Sequence, residues 1–285
     1  MYKIGKTIVD VKQFQGNINL QRLELFSCKN KTINVNYQIK YVDELPEINN
    51  FFYQNNQLAV AKKNNNLQYY HIWDNNIYAI VEECENKYTI YLEKRYLYHN
   101  LHPYFIPSLS HLEKPLLQSN CFILHSSYIE INNYGILFTA PSGGGKSTQA
   151  ELWKKYKNAL IINGDKSIIG KENGIWKTYG IPFSVSSNYC LNKTNKLCAI
   201  IILKKGLNNE IKRLDLTGFR NIFSQVTVNP WDKDFCNKLM DLVIEYCENV
   251  PVYVFSCTKD EKAVDFLYNS LKTEGILSWD YQTIY

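Results

Sequence analysis

No Cys-x-x-Cys pair occurs in this 285-residue chain, and none of its eight cysteines has a His or Cys neighbour at metal-site spacing. That excludes a disulfide framework or a zinc module as the organising device. Several thiols lie inside apolar runs such as Leu197-Cys-Ala-Ile-Ile-Ile-Leu203 and read as buried free cysteines in a reducing cytosol. No uninterrupted apolar run approaches the ~20 residues of a membrane span, and Met1-Tyr-Lys-Ile-Gly-Lys6 carries no apolar signal core. A cytoplasmic protein without membrane contact is expected. The formal charge is +5, but no long Lys/Arg run accompanies it, so nucleic acid is not an expected partner. Hydrophobic content of 45% and charged content of 21% are those of an ordinary globular chain, long enough for one large or two modest domains.

What is present centres on Ala140-Pro-Ser-Gly-Gly-Gly-Lys-Ser-Thr148. It fits the phosphate-loop pattern G-x-x-x-x-G-K-[ST], with Ala140 in place of the first glycine. Glycines 143, 144 and 145 let the backbone curl so that successive N–H groups face an anion. Pro141, Ser142, Gly143, Gly144, Gly145, Lys146, Ser147 and Thr148 are therefore expected to bind nucleotide. Lys146 would reach the β- and γ-phosphates, and the Ser147 hydroxyl would hold Mg²⁺. The context fits as well. Gly135-Ile-Leu-Phe-Thr139 reads as a buried strand, and Thr148 to Tyr156 as an amphipathic helix whose N-terminus adds its dipole to the site.

Residues 1 to about 97 read as a string of short strands, with examples at 3–11, 32–39 and 87–92 and turns at Asn-rich clusters. His71, His99, His102 and His111 are scattered singly and read as structural or surface residues. Prolines 103 and 107, and a short helix or linker over 108–117, separate this region from the next. The expected division is a β-rich N-terminal region over 1–115, structural or substrate-binding, and a nucleotide-binding catalytic domain over 116–285. The fold class is α/β.

In the second region Cys121–Ile131 and Gly135–Thr139 form a hairpin turned at Asn132-Asn133. After the loop helix, Ala159-Leu-Ile-Ile-Asn-Gly-Asp165 is an apolar strand ending in an acid, nineteen positions beyond Lys146. That spacing puts Asp165 at the carboxyl edge of the strand beside the loop, where sheet ligands bind. Strands are expected at 175–180, 198–203 and 250–257, and helices at 216–228 and 232–249. Thr258-Lys-Asp-Glu261 reads as a capping box opening a last helix, in which Ala263, Val264, Phe266, Leu267 and Leu271 make a core stripe. The aromatic tail over 276–285 docks on the body or on a partner.

His125-Ser-Ser-Tyr-Ile-Glu130, the hairpin, Pro141–Thr148 and Asn163-Gly-Asp-Lys166 together resemble the HPr kinase/phosphorylase superfamily, whose nucleotide fold is shared with ATP-dependent phosphoenolpyruvate carboxykinase. The likeness continues through Tyr179-Gly-Ile-Pro-Phe183, Asn209–Leu214, Asn229-Pro-Trp-Asp232 and Val250-Pro-Val-Tyr253, covering about residues 120–272. In that family a His opens the first hairpin strand and an acid follows five residues later, which His125 and Glu130 match. The resemblance implies a kinase using ATP and Mg²⁺. Two departures favour kinase-only relatives, including those that phosphorylate Ser in ribosomally made peptides. Gly164-Asp165 stands where the bifunctional enzymes carry adjacent acids, and the arginine-rich C-terminal segment is missing.

The expectation is thus phosphoryl transfer from ATP to a Ser or Thr hydroxyl of a peptide or protein. The expected catalytic residues are Asp165, His125 and Lys146, with Ser147, Asp165 and Glu130 around the metal. A small hydroxyl acceptor such as free serine, a transport or switch ATPase, and a non-catalytic nucleotide-binding scaffold are the alternatives. The ATPase reading lacks a Ser-Gly-Gly-Gln signature and a downstream Asp-Glu pair. A homo-oligomer is compatible with all of these.

Overall fold

The computed structural model describes residues 1–13, 19–30, 32–46, 50–64, 66–96, 102, 105–182, 187–215 and 218–277. The chain divides into two compact units, Met1–Ser119 and Asn120–Tyr285. Among the described residues no helix is long and apolar enough to cross a membrane.

In the first unit, β-branched and aromatic residues alternate with polar ones, the period of a strand with one face in a core. Among the described residues eight strands form: β1 (Tyr2–Ile4), β2 (Thr7–Gln13), β3 (Val35–Val42), β4 (Phe51–Gln54), β5 (Leu58–Lys63), β6 (Asn66–Trp73), β7 (Asn76–Cys84) and β8 (Lys87–Glu93). They make one sheet in the order β1-β2-β3-β8-β7-β6-β5-β4. The strand expected over 3–11 is two strands, because Gly5 at φ 60° turns the chain back. The one expected from 32 begins at Val35, and its Val35, Tyr37, Ile39 and Tyr41 face the core. Three short helices accompany the sheet among the described residues: α1 (Gln21–Glu24), α2 (Phe105–Ser108) and α3 (Glu113–Gln118). The last two replace the single short helix expected over 108–117. His99 lies outside the described residues.

Two of the histidines expected to be structural or surface residues are paired with each other. His71 and His111 meet Nε2 to Nε2 at 3.0 Å. His111 stacks on Tyr69 with ring centroids 3.9 Å apart, and its Nδ1 lies 3.3 Å from Glu113. Glu83, bonded by Tyr69 and 2.5 Å from Lys114 Nζ, completes the cluster. Burial, and then the charge of His111, hold the His71 pKa well below its usual 6.5. The sign follows from linkage. The unfolded chain takes up a proton near pH 6.5 that the folded chain refuses, so stability falls as pH drops below that value. We expect thermal unfolding scanned from pH 7.5 to 5 to show this loss, at up to ~1.4 kcal/mol per pH unit. His71→Gln should flatten the dependence; an unchanged slope would remove His71 as its source.

The second unit is mixed α/β. Its strands are β9 (Cys121–Ile131), β10 (Tyr134–Thr139), β11 (Leu160–Asn163), β12 (Lys166–Glu172), β13 (Ile175–Tyr179), β14 (Thr194–Lys205), β15 (Glu210–Leu214) and β16 (Val252–Cys257). The helices are α4 (Lys146–Lys157), α5 (Gly218–Phe223), α6 (Lys233–Asn249) and α7 (Glu261–Thr273). β9 and β10 form the expected hairpin, turned by Asn132 and Asn133 at φ 50° and 65°. β10, β14 and β16 run parallel, and each is a continuous apolar run, as a sheet covered on both faces requires. Trp153 of α4 and Ala263, Val264, Leu267 and Leu271 of α7 fill one core cluster with Phe138, Ile201 and Phe255.

Four local expectations change. The helix expected over 216–228 is described only as α5, and Val226 instead bridges Leu124. α7 is capped by Asp260, whose carboxylate accepts from Ala263 N–H at 3.1 Å; Thr258 instead donates its hydroxyl to Asp260. Phe266 is 39% exposed and stacks on Phe255 at the rim of the stripe. Leu277 is buried and Ile276 packs on the core, while the rest of the tail lies outside the described residues. The cap expected at Asp232 is present, accepting from Phe235 N–H at 2.9 Å.

Candidate nucleotide-binding and catalytic site

The loop after β10 is shaped by its glycines. Gly143 and Gly145 sit at φ +71° and +98°, a region side chains rarely enter. A Cβ on Gly144 would stand 2.5 Å from that of Ala140 and 2.9 Å from the Pro141 carbonyl. Ala140 itself is buried, so a small residue suffices at the turn where the pattern has its first glycine. Gly145 is the N-cap of α4, and no side chain caps that end and no acid lies in its first turn. The first-turn N–H groups and the positive end of the helix dipole are left for an anion.

Lys146 is buried, and its Nζ donates to the Ala140 carbonyl at 2.9 Å. Burial lowers its pKa, while the nearby Asp165 charge works the other way. In this arrangement the ammonium is held by the loop's own carbonyls, and phosphate oxygens would replace them as partners.

Asp165 reaches the loop by a route not legible in the sequence. Its strand was expected next to the loop strand, but β9 lies between: β11 and β12 both pair with β9, Leu160 opposite Glu130 and Lys166 opposite His125. β9 runs antiparallel to β10, so its first half lies at the carboxyl end of β10, where Thr139 faces Ser126. The β11–β12 connection is pinned there. Ser126 N–H donates to the Asp165 carbonyl at 3.0 Å, and the Ser127 hydroxyl to the Gly164 carbonyl at 3.0 Å. The Asn163 side chain donates to the Ile181 carbonyl and accepts from its N–H, both at 2.9 Å. His125 Nε2 then lies 3.4 Å from Asp165 Oδ1, with the carboxylate side chain 15% exposed. Gly164 has a steric reason: a Cβ there would meet Ser187 Oγ at 2.3 Å. The place of a second, adjacent acid is filled by that serine.

A cleft of about 480 Å³ gathers these groups: His125, Gly164, Asp165, the loop from Ser142 to Thr148, and Lys259. A second cavity, of about 320 Å³, shares Gly144, Gly145, Thr148 and Lys259 with it. It continues past Gln149, Leu203–Leu207 and Cys257. Gln149 is buried, its Nε2 donating to Cys257 Sγ at 3.2 Å and the Thr258 carbonyl at 3.3 Å.

No protein-family model matches this chain, and no curated protein does. Among solved structures it is similar to the Hpr(Ser) kinase/phosphatase from Coxiella burnetii, at 12% identity and a TM-score of 0.35. That alignment covers 54% of this chain and 97% of the other. A likeness of this size assigns neither an activity nor a substrate.

Of the residues expected at the site, the structure brings together the loop, Lys146, Ser147, Asp165 and His125. It does not bring Glu130. Five positions along β9 from His125 is about 16 Å, and an odd offset faces the other side of the sheet. Glu130 is instead held by Lys193 Nζ at 2.7 and 2.9 Å. Ser147 and Asp165 remain as oxygen donors. That set fits Mg²⁺, which takes one or two protein ligands and fills its octahedron with water and phosphate oxygens. Lys259 was missed. It follows β16, the third parallel strand, and the rule that ligands bind beyond the carboxyl ends of such strands points to it.

Proposed function

We propose that this chain is an ATP- and Mg²⁺-dependent kinase that transfers the γ-phosphoryl group to a Ser or Thr hydroxyl of a peptide or protein. The observation that carries this reading is the order of groups along the two cavities. The apolar cavity past Gln149 suits a nucleobase, and the buried Gln149 Oε1, without a hydrogen-bond partner among the described residues, is an acceptor beside it. Gly144, Gly145 and Thr148, common to both cavities, suit the α/β-phosphates. Asp165 and His125 line only the cleft, so a triphosphate laid along the loop presents its γ-end to the carboxylate.

In this reading Ser147 and Asp165 would hold Mg²⁺, which would supply neutralisation of the phosphate charge when bound. Lys146 moves from the Ala140 carbonyl to the same oxygens. Asp165 takes the proton of the attacking hydroxyl as its oxygen bonds to the γ-phosphorus and the bond to the β-phosphate oxygen breaks, releasing ADP. His125 orients the carboxylate. The β-rich unit serves acceptor binding or structure.

A single-turnover assay with γ-labelled ATP tests this against peptide and free-serine acceptors. Label on a Ser or Thr peptide supports the proposal. Label on free serine alone moves it to a small-molecule kinase. Release of phosphate, or neither product, overturns it in favour of an ATPase or a binding scaffold.

A further inference from the structure

We infer that Lys259 is a second phosphate-binding cation of this site, delivered from the β16–α7 connection to the α/β end of the triphosphate. The inference rests on the nucleotide reading above. Lys259 lines both cavities, at their junction with Gly144, Gly145 and Thr148, whereas Lys146 lines the cleft alone. In phosphate loops the backbone amides hold the α/β-phosphates and the loop lysine the β/γ-phosphates. The junction is therefore the α/β side.

The backbone that carries Lys259 is fixed against the loop helix. The Thr258 carbonyl accepts from Gln149 Nε2 of α4 at 3.3 Å. Thr258 N–H donates to Asn209 Oδ1 at 3.0 Å. The adjacent acid, Asp260, is committed elsewhere: it accepts from the Thr258 hydroxyl at 2.8 Å and from Ala263 N–H at 3.1 Å as the cap of α7. Lys259 itself is exposed, and among the described residues it makes no ion pair. A flexible four-carbon stem on a pinned backbone lets an ammonium swing over a bound phosphate without refolding the connection. Lys146, by contrast, is buried and tied to a loop carbonyl. The two lysines thus divide the triphosphate, one beneath its γ-end and one over its α/β end.

Calorimetric titration of ATP, ADP and adenosine, each with Mg²⁺, into wild type, Lys259→Gln and Lys259→Arg tests this. Lys259→Gln should weaken ATP and ADP alike by about tenfold, the scale of one charge-assisted hydrogen bond at a partly solvated site. Adenosine affinity should not change, and Lys259→Arg should restore most of the loss. The thermal midpoint should stay within about 2 °C, as for a surface substitution. Wild-type affinity for ATP and ADP in Lys259→Gln overturns the inference and leaves the nucleotide site standing. A loss confined to ATP overturns its placement at the α/β end. A wild-type protein that binds none of the three overturns the nucleotide site, and the inference with it.

Discussion

Asp165→Asn is expected to abolish phosphoryl transfer while ATP still binds. Removing a general base costs about 10²–10⁴-fold in rate, and in the proposed mechanism the same carboxylate would also be a metal donor, so the upper end is expected. The amide keeps the shape of the side chain and one oxygen for a cation, and the loop, Lys146 and the base cavity are untouched. ATP affinity should therefore fall by less than about tenfold, a scale of ~1.4 kcal/mol. The fold should hold as well. The 3.4 Å contact with His125 is partly exposed, and such pairs are worth only about 0–1 kcal/mol. The connection around Asp165 is held by the main chain and by Asn163 and Ser127, which the substitution leaves in place. Single-turnover transfer and calorimetric titration, on one preparation, read the two effects separately. Wild-type turnover in Asp165→Asn would remove Asp165 as the base.

Lys146→Gln is expected to have the opposite profile, losing nucleotide without losing stability. Its ammonium is buried against the loop carbonyls, and in the proposed site a loop without it would lack its contact to the β/γ-phosphates. ATP affinity should fall about 10²-fold, more than ADP affinity falls, because the γ-phosphate oxygens lose a charged donor that water cannot replace. The free protein responds differently. Burial lowers the Lys146 pKa in the folded state, so below the unfolded value of 10.5 folding carries the cost of desolvating a charge. A glutamine amide donates to the Ala140 carbonyl without that cost. The thermal midpoint of the nucleotide-free protein should not fall, and the stabilisation that wild type gains from added ATP should disappear. A lower midpoint for the free variant would show that Lys146 holds the loop together. Unchanged ATP affinity would take it out of the phosphate site.

The sequence by itself determined the elements whose signals are local. The loop follows from residues 140 to 148, because glycine is needed where φ is positive and lysine where an anion sits. The β9–β10 hairpin follows from Asn132-Asn133 between two apolar runs, and the cap of α6 from Asp232 at the head of a periodic stretch. Each such pattern is complete within one continuous stretch of chain. Where two local signals competed, at Thr258 and Asp260, the later residue won because its carboxylate reaches Ala263 N–H. Tertiary structure alone decided how the site is assembled. Nothing near residue 165 says that β9 intervenes between β10 and β11, and only that pairing brings the Asp165 carboxylate beside His125. The same strand carries Glu130 away to Lys193, although it stands only five residues from His125. Gly164 looked like a missing acid and is instead a position closed by Ser187, a neighbour 23 residues later. Lys259 arrives more than a hundred residues after the loop, because β16 lies parallel beside β14. Pairing register over such separations depends on the packing of the whole sheet, since it is the shared core that selects one register.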